Sequence, residues 1–143
     1  MENVFGTISQ VIGPVVDVAF DNNQKLPSIY EALEIITENG VKIILECQQH
    51  MGEDIVRTIA MDSTDGLYRG MKVRATGGPI TMPTGPMIRG RLFNVIGEPI
   101  DGLGAVESTK RYNIHNEAPS FDTLKTDSAI LKTGIKVIDL LAP

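Results

Sequence analysis

The stretch Gly85-Pro86-Met87-Ile88-Arg89-Gly90-Arg91-Leu92 comes nearest in this chain to a phosphate-handling motif. A phosphate loop, Gly-x-x-x-x-Gly-Lys-Ser/Thr, works because its backbone amides cradle phosphate oxygens, its Lys neutralises them and its hydroxyl holds magnesium. Here the glycine spacing is right, but Arg91 stands where Lys belongs, Leu92 where the hydroxyl belongs, and Pro86 removes one amide. The stretch reads as a Gly/Pro connector. Gly102-Leu103-Gly104 opens a dinucleotide fingerprint, yet Glu107 occupies the third glycine position, so it reads as a turn. Cys47 and His50 are three apart in a predicted strand, which sends their side chains to opposite faces. His115 lies far off in a polar tail, so the expectation is a buried free thiol and surface histidines rather than a metal or nucleophile site. Asp62-Ser63-Thr64-Asp65-Gly66 pairs two carboxylates, but these are also the residues a tight turn uses, and a turn is the reading here. No catalytic, nucleotide-binding or metal-binding residue is assigned.

The elements that would have to position such groups are mostly short strands. Val16, Val18 and Phe20 alternate with Asp17 and Ala19, the period of two of a half-buried strand. Asn39-Gly40 separates Leu33–Ile36 from Val41–Leu45, and an Asn-Gly pair suits a type I′ hairpin turn. Val41, Ile43, Leu45 and Cys47 then share the inward face, with Lys42, Glu46 and Gln48 on the other. Met51-Gly52-Glu53-Asp54 turns the chain into Ile55–Ala60, and Met71–Ala75 forms a last alternating strand. Strands at this spacing predict a small closed antiparallel β-barrel over residues 1–76.

From Thr76 onward the character changes. Gly77-Gly78-Pro79 and Pro83-Thr84-Gly85-Pro86 mark a boundary or linker. Arg91–Ile96 is a further strand candidate, Glu107–Thr126 is polar and aperiodic, and Ile135, Ile138 and Leu141 recur at helical spacing after Gly134. Residues 77–143 read as an unfinished segment whose closing apolar face has nothing to pack on.

Composition narrows the function classes. Thirteen Lys plus Arg against eighteen Asp plus Glu leave a net charge of −5 over 143 residues, which disfavours a chain built to grip nucleic acid or anionic membrane. Aromatics make up 5% with no Trp, so a base-stacking platform is not visible. A single cysteine excludes an intramolecular disulfide framework. No apolar run approaches the roughly 18 residues of a membrane span, and the N-terminus does not read as a secretory signal. These features point to a soluble protein of a reducing compartment.

Longer phrases go further than spacing. Val11–Val18, Gln48–Gly52 with Val56–Leu67, Gly90–Asp101 and Thr133–Pro143 resemble, in order, the N-terminal part of the F1 beta subunit family of ATP synthases. Ile88-Arg89 before Gly90, and Cys47, depart from the family's usual residues. The resemblance implies a mainly β fold: a crown barrel over 1–76, then the leading segment, 77–143, of an α/β nucleotide-binding domain. In the family the phosphate loop follows the phrase that ends at Pro143, so the expectation is a portion that stops short of it and is inert alone. It implies Mg-ATP or Mg-ADP as ligand of the parent subunit, with no cofactor held here. It also implies an alternating ring with the alpha subunit, contact with the gamma subunit and the rest of F1, no nucleic acid, and membrane association only through the complex. Location would be peripheral, on the cytoplasmic side of a bacterial plasma membrane or the equivalent organelle face. The alternatives are the equivalent part of a related rotary or secretion ATPase, and a stand-alone β-barrel binding module.

Overall fold

Alternation of apolar and polar residues becomes a closed six-stranded barrel in the computed structural model, which describes residues 4–107, 110–124 and 129–141. The strands are β1 (Phe5–Ile12), β2 (Val15–Phe20), β3 (Glu31–Ile36), β4 (Lys42–Gly52), β5 (Ile55–Ala60) and β6 (Lys72–Pro79). They close in the order β1-β2-β5-β4-β3-β6, every pair antiparallel, with β6 returning to β1 through Phe5↔Arg74, Gly6↔Val73 and Thr7↔Lys72. Closure leaves no free strand edge to recruit another chain by backbone pairing. Ile8, Val16, Val18, Leu33, Ile35, Leu45, Cys47, Val56 and Val73 are fully buried in the interior, with Phe20, Ile43 and Met71 nearly so. The mainly β expectation and the inward placement of Ile43, Leu45 and Cys47 hold.

Val41 is different. It is 56% exposed. The β3–β4 ladder ends at Ile36↔Lys42, so Val41 sits in the turn, beyond the last strand that could cover it. The turn is also of another type than Asn-Gly suggests. Only Gly40 has a positive φ (+77°), and the Gly40 amide donates to the Thr37 carbonyl at 2.9 Å, leaving Glu38 and Asn39 as its central residues. A turn followed by a left-handed glycine is the longer, bulged hairpin connection. The two-residue connection with both central φ positive occurs instead between β4 and β5, at Glu53 (+51°) and Asp54 (+58°), where neither residue is glycine.

Past the barrel, β7 (Thr81–Pro83) pairs with β8 (Arg111–Asn113), a strand inside the segment whose sequence shows no period. Arg91–Ile96 is not a strand: only Phe93 bridges Pro99, across a tight loop. Asn94 is the reason. Its Oδ1 accepts from the Ile96 and Glu98 amides at 3.2 and 2.8 Å, and its own amide donates to the Glu98 carbonyl at 2.9 Å. Such local side-chain bonds compete with extended structure. A short helix, α1 (Lys136–Leu141), forms where the spacing places one. Ser108, Thr109, Lys125–Ser128 and the Ala142-Pro143 end of the last phrase lie outside the described residues.

This segment covers part of the barrel's outer wall. Ile44, on the outward register of β4, packs with Ala32 and Ile80, flanked by Met61 and Ile96, in a second apolar cluster. Glu46, expected on an open face, is 5% exposed for the same reason.

Candidate functional site: the wall and mouth of the barrel

The phosphate-loop near-miss is a connector built around an ion pair. Gly85 (φ +110°) leads into a single 3-10 turn at Pro86–Ile88. The Arg91 guanidinium then grips Asp101 through both carboxylate oxygens, one contact at 3.0 Å, and donates to the Gly104 carbonyl at 2.6 Å. The Leu92 and Leu103 amides also donate to Asp101. The Arg91 hydrogen bonds, aided by those amides, hold the Asp101 carboxyl well below the usual carboxylate range. Arg91 is thus committed to its own loop, with its side chain 15% exposed. Gly102 and Gly104 are left-handed turn residues.

Cys47 and His50 do not diverge. Strict alternation is broken by bulges in β4, between Cys47 and Gln49 and between His50 and Gly52. Gln48 is the extra residue, and it returns His50 to the register opposite inward-facing Val56. His50 Nε2 lies 2.7 Å from the Pro27 carbonyl, and Cys47 Sγ lies 4.0 Å from the same oxygen. Burial, then the charge of Glu31, pushes the Cys47 thiol up, which suits an inert core thiol.

His115 has a role that the sequence hides. Its Nε2 is 2.9 Å from Glu46 Oε2, and its ring stacks on Tyr30 with centroids 4.0 Å apart. Gln48 donates to the other Glu46 oxygen at 2.7 Å. Together with the Lys42–Glu98 ion pair, this clasp fastens the following segment to the wall. The outward Ile44 beside Glu46 is the one sequence sign that this face is covered. Two cross-strand pairs brace other faces: Arg57 forks onto Asp17 at 2.9 and 2.9 Å between β5 and β2, and Arg74 reaches Glu34 at 3.0 Å between β6 and β3.

Asp62–Gly66 is a turn, with the Ser63 amide donating to Asp62 and Thr64 to the Gly13 carbonyl. It also forms one lip of a cavity at the barrel mouth. Among the described residues no group of three or more His, Cys, Asp or Glu gathers to hold a metal ion.

What stays uncovered is apolar. Ile12, Ile36 and Ile59 on the barrel are 53%, 64% and 39% exposed, and beyond it Phe121, Leu131, Leu140 and Leu141 are more exposed still. These side chains are available for contact with a neighbouring body.

The comparison with protein families agrees with this barrel. Residues 8–77 match the family model described as the ATP synthase alpha/beta family, beta-barrel domain. The match begins at Ile8 in β1 and ends at Gly77 in β6, so it covers most of the closed six-stranded sheet and little else. Over residues 8–77 this chain is therefore similar to the beta-barrel domain of the ATP synthase alpha/beta family.

Proposed function

We propose that the chain is the N-terminal portion of the catalytic beta subunit of an F-type ATP synthase, and that its barrel is an assembly module packing beside the homologous barrel of an alpha subunit in an alternating ring. The observation that carries this reading is a closed barrel of the matched family whose outer wall keeps exposed isoleucines although its strand edges are all paired. A closed barrel cannot recruit a neighbour through strand edges, so side-chain surface does the joining. The phrases Gln48-Gln49-His50 and Asp62–Gly66 favour the beta subunit over the related rotary and secretion ATPases.

On this reading residues 77–143 are the leading segment of the nucleotide-binding domain, and the Mg-nucleotide site, gamma-subunit contact and peripheral membrane location belong to the parent assembly. The chain by itself is inert. Phosphoryl transfer rests on positioned amides, a Lys, a magnesium-holding hydroxyl and a water-orienting carboxylate, and the nearest stretch spends its Arg91 on Asp101. Sedimentation of the chain with an isolated alpha subunit tests the assembly half: a co-sedimenting species is expected, and independent sedimentation at high concentration overturns it. Calorimetric titration with Mg-ATP at physiological salt tests the other half. No saturable heat is expected, and one-to-one binding in the micromolar range contradicts it.

A further inference from the structure

The mouth of the barrel between the β3–β4 turn and the β5–β6 connection holds a cavity of about 350 Å³. Its floor is apolar, made of Val41, Ile43 and Met71. Its rim carries three carboxylates, Glu38, Asp62 and Asp65, and among the described residues no Lys or Arg lines it, although Arg69 and Lys72 are close in sequence. Lys42, the cation nearest along β4, is engaged by Glu98. Tyr68 stands over the opening, 53% exposed, with its hydroxyl donating to Glu38 at 3.0 Å. That hydrogen bond, then the Glu38 charge, raises the Tyr68 phenol, so the ring stays neutral and its face remains a cation acceptor.

We propose that this mouth is a socket for a single lysine or arginine side chain carried on a loop of a partner polypeptide. Such a side chain has an aliphatic stem and a charged head, and the cavity has the matching halves: an apolar floor for the stem, then carboxylates and an aromatic face for the head. The volume lies near the small end of ligand-sized cavities, about 300–1,000 Å³, which suits one inserted side chain. Each part alone is ordinary. Tyr68 and Glu38 are a surface pair, and Asp62 and Asp65 are turn residues. Three carboxylates that no described Lys or Arg faces, around a cavity where exposed Val41 meets the buried Ile43 and Met71, nonetheless leave a charge and an apolar surface that one guest satisfies together. The socket deepens the assembly reading, since it rests on a partner polypeptide docking at the barrel.

The test is an amide-resolved NMR titration of the full chain with three probes: a capped peptide bearing one lysine, the same peptide with norleucine instead, and free cadaverine. Saturable shifts at Asn39, Gly40, Asp65 and Gly66 are expected with the lysine peptide. They should weaken about tenfold with norleucine and about tenfold again in an Asp65→Asn variant whose spectrum is otherwise native. Equal response to the lysine and norleucine peptides overturns the proposal, as do shifts spread over remote acidic residues such as Asp21 and Glu53. Cadaverine saturating the mouth as well as the peptide does overturns the polypeptide source and makes it a site for a diffusible diamine. If the alpha subunit co-sediments while the socket stays silent, the socket fails alone. If neither occurs, the assembly reading fails with it.

Discussion

Gly6 shows how narrowly single residues are constrained in so small a barrel. A Cβ there would lie 2.7 Å from Val18 Cγ1, 2.9 Å from the Ala19 carbonyl oxygen and 2.9 Å from Phe20 Cε1. The backbone oxygen cannot retreat without opening the β1–β2 ladder at Gly6↔Phe20. Gly6→Ala should therefore lower the urea midpoint by the equivalent of about 2–3 kcal/mol, and an unchanged midpoint contradicts the close approach. Asp17 is constrained by charge instead. Its carboxyl is held low chiefly by the Arg57 hydrogen bonds, against the cost of burial. A depressed carboxylate stabilises the fold fully above its unfolded value, about 3.9, and loses that contribution as pH falls through the folded value. Arg57 is 37% exposed, so solvent screens the pair and its contribution is modest. Asp17→Asn should be less stable than the parent at pH 7, with the gap closing as the pH is taken down to about 2. A gap that stays constant over that range places the effect elsewhere.

Among the elements, the two hairpins around β4 divide what sequence can say from what it cannot. Asn39-Gly40 announces a turn, and one is there, but the chain takes the bulged form and leaves Val41 uncovered. The tighter connection falls on Glu53-Asp54, with no glycine at either central position, because the β4–β5 register at Gly52↔Ile55 leaves room for only two residues. Pairing across the barrel overrides propensity there. Two opposite outcomes follow. Gly40→Val should destabilise by about 1–2 kcal/mol, since open space around Gly40 makes the cost one of backbone alone. Asp54→Gly should stabilise by about 1 kcal/mol by relieving a left-handed non-glycine residue. Thermal unfolding of both variants decides it, and shifts of the same sign contradict the turn assignment. Bulges are the other illegible feature. Nothing in Cys47–Gly52 marks Gln48 as an extra residue, and with that unseen, alternation misplaces His50.

For the molecule as a whole, the barrel was legible because its core is written at short range, in runs such as Val16–Phe20 and Ile43–Cys47. The covered wall was not. His115 and Glu46 are 69 positions apart, and neither residue type foretells the other. Composition and spacing reach the barrel; the long phrases and the match over residues 8–77 reach the likeness to the family. The proposed assembly role rests on what the fold leaves exposed, so it is best tested on those side chains. The most direct measurement is a titration of isoleucine-methyl-labelled chain with unlabelled alpha subunit. The account predicts that Ile12, Ile36 and Ile59 on the barrel wall shift or broaden in a saturable way while the buried Ile8, Ile35 and Ile43 keep their positions. Responses confined to Ile130, Ile135 and Ile138, with the barrel isoleucines unmoved, would contradict it.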